Sequence, residues 1–335
     1  PAGGRPHLEV DRRLAQRNAP PVPADRELAG RLDRLEARGR VEQALRGCFA
    51  DWGFTEVSTP CRVTCPGLEP HLVPFEAPPG RFLATSPELH LKRMLAAGFE
   101  RVFEITPAFR NEEGGPWHMT EFTMLEWYRA HEGLDAIVRD VELLLRAAAD
   151  AAGHGRRPRG CDLSRPAERL TVREAFLRHA GLDLATVRER NALAAALRAR
   201  GLDAPADEDW NELFFRLMLA RVEPRLGQDR VTILEEYPAS QAALARVRDD
   251  PDWPVALRLE VYAGGLELGN AFDELTDPVE QRRRHEADRA LRHRLGRATP
   301  PLDEAFLRAL EAGHPPAAGI AVGLDRLVAL VLEAP

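Results

Sequence analysis

The sequence contains very little lysine and cysteine. Lys92 is the only lysine among 46 basic residues, and all the others are arginines. Because this bias fits codon composition as well as function, it assigns no role to Lys92 by itself. The cysteines are too few and too irregularly spaced for a disulfide framework in a chain of 335 residues; they are Cys48, Cys61, Cys65 and Cys161. A reducing, cytoplasmic environment is therefore predicted.

Several other features are missing, and each absence argues against a class of protein. No stretch approaches the ~18 consecutive apolar residues of a membrane helix, and residues 1–23 lack the apolar core of a signal peptide. Cys61, Cys65 and His71 offer three zinc ligands, whereas structural zinc sites usually use four. The common glycine-rich phosphate loops do not occur. A net charge of −7 argues against a protein that wraps nucleic acid.

The hydrophobic pattern predicts a mixture of helices and strands. Residues 1–25 are rich in proline and poor in apolar residues, so they predict an N-terminal arm. Helical spacing of apolar residues predicts helices over 26–52, 87–97, 134–152, 278–296, 302–312 and 324–332. Strand patterns occur over 54–59, 102–105, 122–128, 231–234, 256–261 and 266–272.

The stretch from 168 to about 226 differs from the rest, because its pattern is helical and contains no strand-like run. It is the best candidate for an inserted segment, and we expect it to lie outside the active site. The remaining strands have hairpin-like neighbours. The sequence therefore predicts an α+β fold with an antiparallel sheet flanked by helices.

Two arginines stand in unusual surroundings. Arg110 lies where a strand meets a loop, and Arg326 follows a glycine turn that leads into an apolar helix. A guanidinium group can bind phosphate in a bidentate manner, which lysine cannot do. Taken singly, however, each arginine is more simply interpreted as a solvated or ion-paired surface residue.

Three glutamates are spaced seven residues apart, at Glu260, Glu267 and Glu274, on two predicted strands. Carboxylates among apolar residues need a partner. That partner is either Mg²⁺, which binds carboxylate and phosphate oxygens together, or an ammonium group of a substrate. Internal salt bridges to the many arginines are an equally good interpretation of the spacing alone.

Taken together, these motifs resemble the catalytic domain of class II lysyl-tRNA synthetases, and more closely the truncated paralogues in that family, which attach (R)-β-lysine to elongation factor P. Residues 53–60 (GFTEVSTP) resemble motif 1, 109–118 (FRNEEGGPWH) with 121–128 (EFTMLEWY) resemble motif 2, and 319–327 (GIAVGLDRL) resemble motif 3. Between them, in family order, lie TSPE at 85–88, YPASQ at 237–241 and ELGNAFDEL at 267–275. The resemblance covers about 26–332 and implies one catalytic domain over 26–335.

The resemblance implies a reaction in which ATP activates an amino acid as an aminoacyl-adenylate. Arg110 would bind the α-phosphate and the substrate carboxylate, and Arg326 would bind the γ-phosphate near the adenine. Phe122 would stack on the other face of the adenine, while Glu112 and His118 would help to place the nucleotide.

The resemblance also implies the sites for metal and amino acid. Glu260 and Glu267 would hold Mg²⁺, and Asn270 would lie near the substrate carboxylate. Glu274 and Tyr128 would meet the distal ammonium group of the amino acid. Two further carboxylates would meet its other amino group, namely Glu88 and Glu126.

Three features favour the ligases over the synthetases. Only about 25 residues precede the first predicted helix, so no N-terminal anticodon-binding barrel and no stable tRNA binding are expected. Ser86 and Ala321 occupy positions where synthetases tend to have Ala and Gly, and a methyl group at 321 would reshape the amino-acid pocket. The predicted partners are elongation factor P, ATP, and (R)-β-lysine or lysine. A homodimer through 26–60 and no membrane contact are also expected.

Some alternatives remain open at this point. Met119-Thr120 replaces the Asn-Pro usual in the family, which leaves the shape of the motif 2 loop undetermined. The chain is also compatible with a freestanding enzyme that charges tRNA or another small acceptor, or with a non-catalytic regulatory paralogue. The arginine-rich helix 282–297 is a candidate docking face for an acidic partner, and a solvated helix with internal ion pairs is at least as good an interpretation.

Overall fold

The structure is a computed structural model, and it describes residues 28–111, 115 and 117–334. The arm predicted over 1–25 and the predicted ATP-binding residue Glu112 lie outside the described residues. The family's motif 2 loop is described only in part, since residues 112–114 and 116 belong to it as well.

The described residues form helices and strands in a mixed order. The helices are α1 (Leu32–Asp51), α2 (Glu88–Ala96), α3 (Leu134–Ala152), α4 (Val172–Ala180), α5 (Arg190–Arg198), α6 (Trp210–Leu217), α7 (Pro278–Arg294), α8 (Glu304–Gly313) and α9 (Leu324–Val331). The strands are β1 (Thr55–Glu56), β2 (Arg62–Val63), β3 (Phe82–Leu83), β4 (Arg101–Phe109), β5 (Glu121–Ala130), β6 (Glu168–Thr171), β7 (Thr232–Pro238), β8 (Val247–Arg248), β9 (Val255–Ala263), β10 (Leu266–Asp273) and β11 (Ala317–Gly323).

Nine of these strands form one large sheet within the described part of the chain. Its order is β1-β4-β5-β11-β10-β9-β7-β6, with β8 paired to β9 off this path. Every pair is antiparallel except β1 with β4 and β6 with β7, which are parallel and lie at the two edges. The α+β prediction is confirmed, and the sheet is mixed where a purely antiparallel sheet was predicted.

The helices begin and end where local chemistry requires. The Thr171 side chain accepts a hydrogen bond from the backbone N–H of Glu174, whose carboxylate accepts one from the N–H of Thr171, so a capping box starts α4. Gly153 ends α3 in a left-handed conformation with φ of +79°. The predicted helix 134–152 is confirmed at both ends.

The main core lies between the sheet and three helices. Apolar faces of α1, α3 and α9 pack on β4, β5, β10 and β11, with Phe49 stacked on Phe103 at a centroid distance of 4.2 Å. Trp127 is buried in the same core, and its indole N–H donates to Asp140 over 3.1 Å. This packing fixes the central strands, because the faces that contact the helices cannot shift without exposing core residues.

The stretch 168–226 forms a second apolar cluster against β7, in which Phe176 stacks on Phe214. The prediction that it contains no strand is wrong, because its first residues form β6. Only Leu170 is buried in these four residues, so no alternating pattern marks the strand, and pairing with β7 stabilises it. The prediction that the whole stretch lies outside the active site is also wrong, as shown below.

One further sequence prediction concerns a short segment. The strand predicted over 54–59 is reduced to the two residues of β1, which pair with β4.

Among the described residues, no helix is long and apolar enough to cross a membrane. All four cysteines are free, and no cluster of three or more metal-binding side chains occurs in the described part of the chain.

Candidate active site

A cleft of about 700 Å³ lies over the central strands β5, β11 and β10. The strand register places Ala321 opposite both Glu126 and Asn270, so three predicted substrate residues lie side by side. Most predicted site residues line the cleft, namely Ser86, Glu88, Arg110, His118, Phe122, Glu126, Tyr128, Glu267, Asn270, Ala321 and Arg326. Glu260 and Glu274 are buried beside it and are not among the lining residues.

A close approach between two strands shapes the floor of the cleft. Gly319 of β11 lies opposite Tyr128 of β5, and a Cβ atom at position 319 would lie 2.2 Å from the Tyr128 ring. Any side chain there would displace the ring. The absence of a side chain at position 319 therefore leaves the space that the Tyr128 ring occupies.

One end of the cleft is rich in carboxylates, and we call it the acidic end. Glu126 accepts hydrogen bonds from the Ser86 hydroxyl over 2.8 Å and from the Tyr128 hydroxyl over 2.7 Å. The Ser86 hydroxyl oxygen also accepts from the backbone N–H of Glu88 at the start of α2, over 3.0 Å. These bonds fix the orientation of the Glu126 and Ser86 side chains towards the cleft.

The acidic end also contains a buried lysine, Lys92, which contacts two of its carboxylates. Its side chain is 3% exposed, and its Nζ lies 2.5 Å from a carboxylate oxygen of Glu88 and 2.5 Å from one of Glu274. The ammonium also lies near the faces of Tyr128 and Phe272, at 5.9 and 5.8 Å from the ring centroids. A compact ammonium fits between two carboxylates where a planar guanidinium needs more space.

The acidic end has more carboxyl groups than cationic groups. Burial and the neighbouring Glu88 raise the pKa of Glu126 to about 8, and burial raises the pKa of Glu274 to about 8 although Lys92 acts against it. When Glu88, Glu126 and Glu274 are all ionised, Lys92 compensates one of them, so two negative charges have no counter-ion. This surplus suits a ligand with two positive charges.

The other end of the cleft carries Arg110 and Arg326, and we call it the arginine end. Arg110 Nε donates to the backbone carbonyl of Thr85 over 3.4 Å, and its guanidinium lies 5.2 Å from the centroid of the Phe122 ring. Arg326 donates to two backbone carbonyl oxygens, of Trp117 over 3.1 Å and of Glu267 over 2.9 Å. Both side chains are half-buried and line the cleft.

Glu260 and Glu267 lie on the adjacent strands β9 and β10. Glu260 accepts hydrogen bonds from Tyr237, from Tyr262 over 2.6 Å and from Arg258 over 2.5 Å. Burial and the charge of Glu260 raise the pKa of Glu267 to about 7. The charge of Glu260 thus disfavours ionisation of Glu267, and a bound cation would relieve this effect.

These two carboxylates could bind Mg²⁺, but they are too few to supply all of its ligands. Mg²⁺ is commonly bound through one or two carboxylates together with substrate phosphates and water. The three donors to Glu260 leave room for one more partner, since a carboxylate has about four lone-pair sites. The residues present are therefore compatible with Mg²⁺ held jointly with a nucleotide.

The segment 168–226 contributes to the wall of the cleft through α6. Asn211 and Phe215 line it, and Asn211 accepts a hydrogen bond from the Ser240 hydroxyl over 2.7 Å. Phe215 is 40% exposed, so it forms an apolar rim. Sequence patterns missed both residues, because nothing in an amphipathic helix marks the point where it meets a cleft.

The arginine-rich helix α7 is only partly a surface feature. Arg292 is 1% exposed, and it donates to the backbone carbonyls of Glu69, Leu72 and Ala298. Arg282 pairs with Glu304 on the neighbouring helix. The hypothesis of a docking face is wrong for Arg292, because its guanidinium supports a loop at the cleft and cannot meet a partner.

Other residues of the site carry no sequence signal that singles them out. Lys92 stands out as the only lysine in an arginine-rich chain, and Glu88 precedes it by one turn of α2, but its second partner, Glu274, comes from a distant segment. Arg258 stacks over Tyr237 at 4.4 Å from the ring centroid and reaches Glu260, so it belongs to the same network.

With the fold and the cleft described, the chain can be compared with known families. It belongs to the class II tRNA synthetases: the family described as tRNA synthetases class II (D, K and N) matches residues 29–335. The predicted resemblance to this class is confirmed.

Within that class, the chain is similar to elongation factor P (R)-β-lysine ligases. Those of Salmonella typhi, Salmonella arizonae and an Enterobacter species are each 40% identical to it over 313 residues. Each alignment covers 90% of this chain and 92% of the relative. The similarity therefore extends through nearly all of the catalytic domain.

Proposed function

We propose that this chain uses ATP to activate (R)-β-lysine, or lysine, as an aminoacyl-adenylate and transfers it to a lysine side chain of elongation factor P. Its membership of a synthetase class and the names of its relatives support this reaction. The observation that carries the proposal is the acidic end of the cleft, where three carboxyl groups share one ammonium group, so that two of them have no cation of their own when ionised.

An amino acid with two amino groups matches this surplus. Its ammonium groups would compensate Glu126 and Glu274, while Lys92 continues to compensate Glu88. Tyr128 and Ser86 would keep Glu126 oriented, since both already donate to it. A monoamine would leave one buried carboxylate uncompensated, which costs several kcal/mol unless that carboxylate is protonated.

The arginine end suits the phosphates of ATP. Arg110 and Arg326 are held by backbone carbonyl oxygens, so their remaining N–H groups can donate to phosphate oxygens. Phe122, which already packs against Arg110, would stack on the adenine, and His118 and Glu112 would help to place the nucleotide. Asn270 would approach the substrate carboxylate, as the resemblance implies.

Glu260 and Glu267 would hold Mg²⁺ together with these phosphates. When bound, the ion would neutralise charge on the phosphate oxygens during adenylate formation. Arg258, Tyr237 and Tyr262 would keep Glu260 oriented towards its neighbour, because all three already donate to it.

Ala321 would select between lysine isomers. Its methyl group lies between Glu126 and Asn270, which are the predicted contacts of the near amino group and the carboxylate. A methyl group at this point would favour the isomer whose amino and carboxyl groups are spaced one carbon further apart.

Assembly and location also belong to the proposal. Leu28, Leu32 and Leu35 are 49–54% exposed at the start of α1, in the region predicted to form a homodimer. A two-fold contact would cover this apolar stripe on both copies. The absence of stable tRNA binding and the cytoplasmic location remain predictions.

The proposal is tested by supplying two acceptors to the same enzyme. Purified chain, ATP, Mg²⁺ and (R)-β-lysine are incubated with either elongation factor P or total tRNA. The expected result is a mass increase of elongation factor P equal to one lysyl group, with no acid-precipitable amino acid on tRNA. Charged tRNA without modified protein, or no reaction in either mixture, would contradict the proposal.

A further inference from the structure

A fourth carboxylate, Glu69, lines the cleft and has no role in the reaction described so far. It lies in the connection between β2 and β3. Its Oε2 atom is shielded from solvent and accepts no hydrogen bond from the described residues. A buried carboxylate oxygen without a donor is costly, so its position calls for an explanation.

The chain is built to hold this carboxylate in place. Gly67 has φ of +125°, and a Cβ atom there would lie 2.5 Å from Glu69 Oε2. Arg292 donates to the backbone carbonyl of Glu69 over 2.7 Å, and Arg297 donates to that of Pro70 over 2.8 Å. A glycine and two arginines thus hold the segment whose carboxylate has one oxygen, Oε2, without a hydrogen-bond donor among the described residues.

Charged groups from both ends of the cleft act on the Glu69 carboxyl. Glu88 at the acidic end and Asp288 on α7 act to raise the pKa of its carboxyl, and Arg110 at the arginine end acts to lower it. The charge of Glu69 also acts on Arg292 of α7. Burial is the largest influence, and the net effect raises the pKa of Glu69.

The two substrates together bring more ammonium groups than Glu126 and Glu274 can compensate, so Glu69 is available for the second substrate. The two ammonium groups of the amino acid are compensated by Glu126 and Glu274 in the proposed function. The acceptor lysine brings one more ammonium group, which must lose a proton before it can attack, since its reference pKa is about 10.4. Of the other carboxylates that line the cleft, Asp325 accepts hydrogen bonds from Arg38 and from the backbone N–H of Thr123, and Arg284 and Arg292 act on the carboxyl of Asp288. Among the described lining carboxylates, Glu69 is the one with a buried oxygen that accepts no hydrogen bond.

We propose that Glu69 binds the ammonium group of the acceptor lysine and is the general base of the transfer step. This inference rests on the proposed function, because it assumes an amine acceptor and an adenylate donor. It assigns a catalytic residue to the second half-reaction, whereas Arg110 and Arg326 serve the first.

The Glu69 carboxylate takes one proton from the acceptor's ammonium group, and the nitrogen lone pair then attacks the carbonyl carbon of the adenylate. The new C–N bond forms, and the bond from that carbon to the phosphate oxygen breaks with its electron pair on AMP. The second proton on the nitrogen goes to the phosphate of AMP, and Glu69 returns its proton to water.

The test separates the two half-reactions in Glu69→Gln, which keeps the size of the side chain but cannot take the proton. Glu76→Gln is the matched control, because Glu76 is an exposed residue of the same connection and does not line the cleft. Pyrophosphate exchange with (R)-β-lysine measures adenylate formation. Single-turnover transfer from preformed adenylate to elongation factor P measures the second step.

We expect Glu69→Gln to exchange pyrophosphate within about threefold of wild type and to transfer about 10²–10⁴-fold more slowly. The deficit should narrow as pH rises towards 10, because the acceptor amine then loses its proton without help. Glu76→Gln should match wild type in both steps. Glu69→Asp, which retains a carboxylate, should recover part of the transfer rate and its pH dependence.

Three results would overturn the inference. Transfer at the wild-type rate in Glu69→Gln would remove the base. A raised KM for the amino acid in pyrophosphate exchange, with normal transfer at saturation, would make Glu69 an amino-acid ligand instead. If Glu69→Gln does not fold, a transfer rate in Glu69→Asp without any pH inflexion would decide against it. Absence of transfer in the wild-type enzyme would instead contradict the proposed function itself.

Discussion

At the acidic end of the cleft, charged side chains are paired with one another, whereas at the arginine end the guanidinium groups are held by backbone carbonyls. Lys92 lies 2.5 Å from carboxylate oxygens of both Glu88 and Glu274. Arg326, in contrast, donates only to carbonyl oxygens of Trp117 and Glu267 among the described residues. One end thus sets a defined charge, and the other keeps its positive charge available.

The difference indicates how each end would treat its ligand. A ligand at the acidic end must supply one positive charge for each ionised carboxylate that Lys92 does not compensate. That end therefore selects ligands by their number of positive charges. The arginine end orients donors without neutralising them, which suits a polyanion whose charge changes during the reaction. Substitutions at the two ends should therefore affect different kinetic constants.

The largest effect is expected for Arg326→Ala. Loss of its charge-assisted contacts to the phosphates should slow pyrophosphate exchange on the order of 10²–10³-fold, by analogy with the removal of one preorganised donor. Amino-acid binding measured without ATP should change much less, because Arg326 lies at the opposite end. Pyrophosphate exchange at the wild-type rate would remove Arg326 from the phosphate site.

A smaller and different effect is expected for Lys92→Met, which keeps the length of the side chain and removes its charge. Glu88 and Glu274 would lose the ammonium that holds them, so KM for (R)-β-lysine should rise about 10–100-fold, while KM for ATP stays near its wild-type value. Arg93→Met is the matched control, since it removes a positive charge from the neighbouring position of α2.

An equal rise of both KM values in Lys92→Met would show that the two ends are not independent. An unchanged KM for the amino acid would show that Lys92 only fills space beneath the cleft. Arginine at position 92 should not restore function, because a guanidinium is larger and planar.

The smallest effect is expected for Ala321→Gly, which removes one methyl group from the acidic end. The ratio of kcat/KM for α-lysine over (R)-β-lysine should rise by roughly tenfold, in line with one methylene-sized change in a pocket. Total activity with ATP saturating should change little. A preference that stays with (R)-β-lysine to the same degree would place the selection elsewhere.

The periodicity of the sequence was sufficient to predict most of the large sheet and its flanking helices. Long strands such as β5 and helices such as α3 bury one continuous face, and this leaves a readable pattern. The four residues of β6 bury only Leu170, so their strand conformation depends on pairing with β7 and could not be read locally.

The candidate site was predictable where a motif names the residue, and not where a contact joins distant segments. Glu88, Glu126 and Arg326 were predicted because they lie in motifs that resemble those of the family. Glu69 and Arg292 were not, because their importance depends on a hydrogen bond between residues more than two hundred positions apart. Long-range pairing of this kind leaves no local pattern.

The central claim is that the acidic end binds a diamine by compensating two ionised carboxylates, and proton release on binding tests it most directly. Because the pKa values of Glu126 and Glu274 lie at about 8, both groups are mostly protonated at pH 7 without ligand. A dication requires them ionised, so binding at pH 7 must expel protons, and affinity should rise as the pH rises from 7 towards 8.

The measurement is calorimetric titration of the enzyme with (R)-β-lysine at pH 7 in two buffers with different enthalpies of ionisation. We expect the release of about two protons per amino acid bound at pH 7, and fewer at pH 8, where about half of each carboxyl group is already ionised without ligand. Binding at pH 7 without proton release, or with proton uptake, would contradict it.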